Sequence, residues 1–149
     1  MRKRKYICFN IGMLGIVGFF YILNNRYMKV RTHGLLNKFL RYYFNDIICP
    51  GALLALTNLF LMFYIPFCKR ILVFPIPFLN RMKYGIYHLK AILAYCLFCG
   101  VYWEFIYPIH HSESTGDVTD ILCYVLGGIL YYTFYRACIE KRVMHQIKI

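Results

Sequence analysis

At 149 residues, with 60% hydrophobic and 16% charged side chains and a mean hydropathy of +0.50, the chain is not composed like a water-soluble domain. Such domains are about half apolar and about one quarter charged. The formal charge of +12 lies in clusters flanking apolar runs, not on a basic face interleaved with exposed aromatics. This pattern argues against nucleic acid as a partner and for anionic lipid headgroups.

Stretches without acid or base run from Tyr6 to Asn25, Ile47 to Cys68, Ala91 to Trp103 and Ile121 to Tyr135. With their flanks, all four reach the roughly 20 residues that cross a hydrocarbon core. Backbone in lipid must satisfy its own hydrogen bonds, so the stretches are read as helices. The expected fold is all-α: a polytopic membrane protein with four transmembrane helices, forming one domain over 1–149.

The chain opens on Arg2-Lys3-Arg4-Lys5 and an apolar run without a small-x-small cleavage site, so a retained first span is expected over 6–23. Gly12, Gly15 and Gly18 make a smooth ridge on it that suits close helix approach. In the basic connector that follows, Leu35, Leu36, Phe39, Leu40 and Tyr43 recur at helical spacing opposite His33, Asn37, Lys38 and Arg41. That is the pattern of an interfacial amphipathic helix between the first and second spans. The second span is expected over 47–68, with Pro50 in or near its first turn and Pro66 at its end. A basic segment with an apolar core, Ile71 to Leu79, is then expected to hug the surface or dip in, its regular helix forbidden by Pro75 and Pro77. The third span is expected over 86–107, stopped by Pro108, and the fourth over 117–137. Seven scattered cysteines argue against a disulfide framework, and Cys96-x-x-Cys99 within a span reads as two small packing residues.

Placing both termini in the cytoplasm puts thirteen bases inside and five outside, all five (Arg26, Lys29, Arg31, Lys38, Arg41) in the first connector. The bias supports a multi-pass plasma-membrane protein with N and C termini cytoplasmic. Five of the six acids then fall outside. Asp46 opens the second span, Glu104 ends the third, and Asp117 and Asp120 open the fourth. These four form the candidate functional cluster, with His110, His111 and Tyr124 supporting. Asp117 fits an N-cap and Asp120 the N3 position, where carboxylates meet free backbone N–H groups. Glu104 lies near a helix C-terminus, where the macrodipole disfavours an anion, so a compensating group is required. His110 and His111 could join the acids around a divalent cation, although their spacing matches no metal motif. No nucleophile with an adjacent base is discernible, which favours a role other than catalysis.

The stretch Tyr102-Trp103-Glu104, Pro108 and Gly116-Asp117 to Gly127-Gly128 resembles the closing motif of the VanZ-like superfamily, with a Glu late in one helix and an Asp-rich start to the next. More narrowly, Tyr43 to Pro50 together with Asp117-x-x-Asp120-x-x-Cys123-Tyr124-x-x-Gly127 resembles small bacterial membrane proteins labelled magnesium citrate secondary transporter. Where VanZ-like proteins carry a basic or amide residue between the Glu and the Asp motif, this chain has His110 and His111. The resemblance implies a membrane-embedded fold and, as for the founding members, glycopeptide tolerance through an effect on the cell envelope; the first expectation for the outer acidic cluster is handling of a lipid headgroup or peptidoglycan precursor. The transporter label implies cation-coupled uptake, which four short helices would support only as a homo-oligomer. A non-catalytic accessory subunit is the third expectation.

Overall fold

The computed structural model describes residues 2–71, 85–110 and 117–140, and the described residues are almost all helical. Helix α1 (Arg2–Leu23) continues through a π-helical turn, Asn24–Met28, into a last α-helical turn, Lys29–Arg31. Helix α2 is Gly34–Tyr42 and α3 is Phe44–Ile71. Helix α4 (Leu89–Val101) passes through a second π turn, Tyr102–Ile106, and ends at Tyr107–His110. Helix α5 (Val118–Tyr135) closes on a third π turn, Arg136–Glu140. Four segments are long and apolar enough to cross a membrane: Lys3–Arg31, Gly34–Tyr64, Leu89–Ile109 and Val118–Ile139.

Several boundaries depart from the sequence expectation, most of them at prolines. Proline does not end these helices. Pro50 lies in the second turn of α3, close to where it was expected, but α3 runs beyond Pro66 and the third span runs beyond Pro108 to His110. In an apolar surrounding, which these helices are long and apolar enough to occupy, a helix would gain little by ending at proline, because no water is there to bond the freed carbonyls. A π turn lies just before Pro108 as a local adjustment. The first span likewise extends to Arg31, which shortens the connector. The amphipathic helix forms over nine residues, with Leu40 buried and Leu35, Leu36 and Phe39 exposed. Asn37 Nδ2 pins it to the end of α1 through the carbonyls of Lys29 (2.8 Å) and Thr32 (2.7 Å). The apolar segment at Ile71–Leu79 falls almost entirely outside the described residues.

Helix α5 is central, packed against both α3 and α4, while α1 lies along α3. Glycine sets the distance in two of these contacts. A Cβ at Gly127 would collide with the carbonyl oxygen of Ile47 and touch Pro50 Cγ at 3.0 Å; one at Gly128 would meet Cys96 Sγ at 2.6 Å. The ridge of Gly12, Gly15 and Gly18 has nothing within 4 Å of its would-be Cβ atoms, so it makes no close helix contact in this bundle. Cys96 is buried against α5 and Cys99 hydrogen-bonds Tyr95, so the pair serves packing.

The polarity of the bundle is inverted. Large apolar side chains such as Phe19, Phe60, Phe98 and Leu122 are exposed, whereas Asn10, Asn24 and Asn58 are fully buried. Asn58 holds the end remote from the acids. Its Oδ1 accepts from Ile86 N (2.5 Å), and its Nδ2 donates to Tyr131 OH (2.8 Å) and the Ile86 carbonyl (3.3 Å). Tyr131 OH donates to Asn10 Oδ1 (2.7 Å), and Asn10 Nδ2 donates to Tyr87 OH (2.8 Å). One network thus ties α1, α3, α5 and the turn before α4. Gly85 makes it possible: its φ of +117° is costly for other residues, and a Cβ there would strike Asn58. Stacked rings of Tyr87 and Tyr135, with centroids 4.6 Å apart, extend the same cluster.

Candidate functional site

At the opposite end, the first turns of α3 and α5 and the late turns of α4 carry the four candidate acids. Asp117 caps α5 as expected. Its backbone is extended (φ −121°, ψ 123°) and its Oδ1 accepts from Thr119 N at 2.8 Å. That hydrogen bond favours the carboxylate and lowers its pKa below the ordinary value. A lowered folded-state value means the contribution is present above the unfolded pKa and lost as pH falls through the folded one. Thermal unfolding in detergent across acid pH should therefore show wild type losing stability at the acid end. Asp117→Asn, which still accepts from Thr119 N–H, should lack that step. An unchanged acid profile in the variant would assign the loss to another group.

Asp120 occupies the third helical position, its N–H bonded to the Asp117 carbonyl at 3.2 Å. Asp46 is not a cap, because α3 begins two residues before it and Ile47 N already bonds the Tyr43 carbonyl at 3.1 Å. Glu104 lies within the π turn of α4. The compensation its position demands comes from the next helix: Asp117 N donates to Glu104 Oε2 at 3.0 Å. An anion at the end of one span thus meets the free N–H groups and positive end of the following one. Glu104 and Asp117 therefore interlock α4 and α5.

The acids on three helices are near enough to act on one another. Asp46 interacts electrostatically with Asp120 and Glu104, and Asp120 with Glu104 and Asp117. Asp46, Glu104 and Asp120 are partly buried, which strengthens the mutual repulsion relative to water. Lys29, at the end of α1, is the cation that acts on Asp46. Tyr124 lies one turn deeper than Asp120; it is buried, hydrogen-bonded with Cys49 and within electrostatic reach of Asp46 and Glu104. His111 and the side chain of His110 lie outside the described residues. No three His, Cys, Asp or Glu among the described residues are arranged to hold a metal ion.

Sequence reading missed Lys29, Cys49 and a repeated pattern that was in plain view: Asp46-x-x-x-Pro50 and Glu104-x-x-x-Pro108. In a helix the N–H of each proline position would bond the carbonyl of the acid four residues earlier, and proline has none. At Asp46 the α-helical donor for its carbonyl is thus missing, whereas Glu104 lies in a π turn whose bonds run one residue further, as Tyr107 N–H to the Tyr102 carbonyl does. The cluster is an oxygen-rich, electronegative end of the bundle, suited to a cation or an ammonium group. Comparison with known proteins finds no matching family model, curated protein or solved structure.

Proposed function

We propose that this chain is a multi-pass plasma-membrane protein of the bacterial cell envelope, with both termini cytoplasmic. Its acidic end faces outward and binds the cationic part of a lipid or peptidoglycan-precursor headgroup. The observation that carries the reading is the gathering of Asp46, Glu104 and Asp120 from three helices at one end of the bundle, with Lys29 the cation acting on Asp46. Burial makes these charges costly, and an ammonium-bearing ligand offsets the repulsion. The exposed apolar flanks of the bundle suit lipid, and α2 suits the membrane surface with Leu35, Leu36 and Phe39 in the acyl boundary. The VanZ-like motif points the same way, toward envelope chemistry and glycopeptide tolerance.

The test is complementation of a deletion strain, scored by growth under glycopeptide or other cell-wall stress. Asp46→Asn and Asp120→Asn should each abolish complementation at wild-type protein abundance. Glu104→Gln keeps an oxygen for the Asp117 N–H and should lower function without loss of protein. Full complementation by both Asp variants would overturn the reading, leaving the acids as helix-end fittings.

A further inference from the structure

We infer that the side of α1 turned away from the bundle holds an anionic phospholipid, its phosphate at Arg26 and one acyl chain running down the helix. This site stands apart from the acidic end. Asn10, Met13 and Asn24 are the buried residues of α1 and its π turn, and they mark the side that meets the bundle. Gly12, Gly15, Phe19, Ile22 and Arg26 follow one another at steps of three and four, all exposed, and form the outward side.

The stripe ends in a groove of about 350 Å³ lined by Tyr21, Ile22, Asn25, Arg26 and Tyr27. The described acids all belong to the other helices, and α1 turns its opposite side to α3, so the Arg26 guanidinium faces no carboxylate of the bundle. Arg31 stands over the Tyr27 ring, 5.9 Å from its centroid, and places a second guanidinium behind that wall. Arg26 with the Asn25 amide suits a pair of phosphate oxygens. Two guanidinium groups without a carboxylate favour a headgroup of net negative charge. The ammonium of a zwitterionic headgroup would meet like charge there.

Below the groove the stripe becomes a furrow. Ile22 and Phe19 are exposed, and a Cβ added at Gly15 or Gly12 would meet nothing within 4 Å. The rise from Gly15 to Arg26 is about 16 Å at about 1.5 Å per residue. That is close to half of the roughly 30 Å hydrocarbon core, the depth of one leaflet. An acyl chain with its headgroup at Arg26 thus runs over Ile22 and Phe19 and ends at the glycines. The glycines by themselves would suit a second helix equally well. Charge decides between the two occupants. Arg4, exposed two turns before Gly12, continues the stripe to the other end of the span. A second copy packed on this side in the same orientation would set arginine against arginine at both ends, whereas a lipid phosphate brings the complementary charge.

The experiment uses the full-length protein in detergent micelles supplied with phosphatidylglycerol, phosphatidylethanolamine and diacylglycerol, with retained lipid counted by native mass spectrometry. Wild type should retain phosphatidylglycerol over both of the others. Arg26→Gln should lower that retention roughly tenfold, the weight of one charge-assisted hydrogen bond, at an unchanged melting temperature. Lys38→Gln removes an equally exposed charge from α2, outside the groove, and should change retention less than about twofold. Asp46→Asn should leave retention as it is, which separates this site from the acidic end. Wild-type retention by Arg26→Gln would overturn the proposal, and so would an equal loss in Lys38→Gln, which would mark bulk charge only. Release of the lipid by millimolar inorganic phosphate would mark a free-anion site. A wild-type dimer broken by Gly15→Leu would show that a second copy covers this side. Either result also overturns the lipid site.

Discussion

Gly127→Ala is expected to destabilise the bundle by about 3 kcal/mol, at the upper end of ordinary overpacking costs. The added methyl would collide with the carbonyl oxygen of Ile47 and press on Pro50. Neither obstacle is a flexible side chain, so α5 must move away from α3. Gly128→Ala provides the contrast, because its obstacle is Cys96 Sγ, the tip of a side chain. Adding Cys96→Ala should restore part of the stability lost in Gly128→Ala, whereas no single side-chain truncation should rescue Gly127→Ala. Gly12→Ala and Gly15→Ala face open space and should change stability by less than about 1 kcal/mol. Thermal unfolding of the detergent-solubilised variants measures all of these. A Gly127→Ala protein as stable as wild type would mean that the α3–α5 seam is looser than its geometry. The seam also matters for the site, since Ile47 neighbours Asp46 and Gly127 lies two turns beyond Asp120.

What the sequence made legible was set by composition. Four apolar stretches, each too long for a turn and flanked by charge, are enough to identify the long helices and the approximate place of each acid. Helix ends were harder, because Pro50, Pro66 and Pro108 read along the chain as starts and stops, whereas the helices run through all three. The glycines show a similar limit. Gly12, Gly15 and Gly18 and the Gly127-Gly128 pair carry the same local signal of close approach, and only the packing of α5 between α3 and α4 shows which is used.

The acidic cluster was legible as a set of positions, because alternating spans put every second helix end on one side. The division of labour within it was not. Glu104 looks unpaired along the chain because its partner, the Asp117 N–H, belongs to the next helix. Asp46 looks like a cap because nothing in Tyr43-Phe44-Asn45 announces a helix already under way. The polar network was missed for a different reason. Asn10 and Asn58 are single amides in apolar runs, and their significance lies in partners 121 and 73 residues away in sequence.

Asn58→Ala is the second large effect expected, at about 2–3 kcal/mol. It leaves Ile86 N–H without its acceptor in an apolar interior and removes the donor to Tyr131 OH. An orphaned buried group costs about 1–3 kcal/mol in water-soluble proteins, while single polar contacts between membrane helices average nearer 0.6 kcal/mol. The larger value is favoured here because Asn58 meets both the N–H and the carbonyl of Ile86, backbone groups that cannot swing to another partner, whereas Tyr131 OH keeps its bond to Asn10 Oδ1. Tyr131→Phe should cost less, since the ring keeps its packing against Phe9, 5.6 Å between centroids. Because the two residues share one network, the double variant should fall short of the sum by at least about 0.5 kcal/mol. Asn24→Ala, at the acidic end, should instead add to Asn58→Ala, for the two asparagines have no partner in common. Coupling between Asn24 and Asn58 would show that the two ends of the bundle respond as one. Additivity would mean that the amide–phenol network fixes its own end while the acidic end is free to rearrange around a ligand.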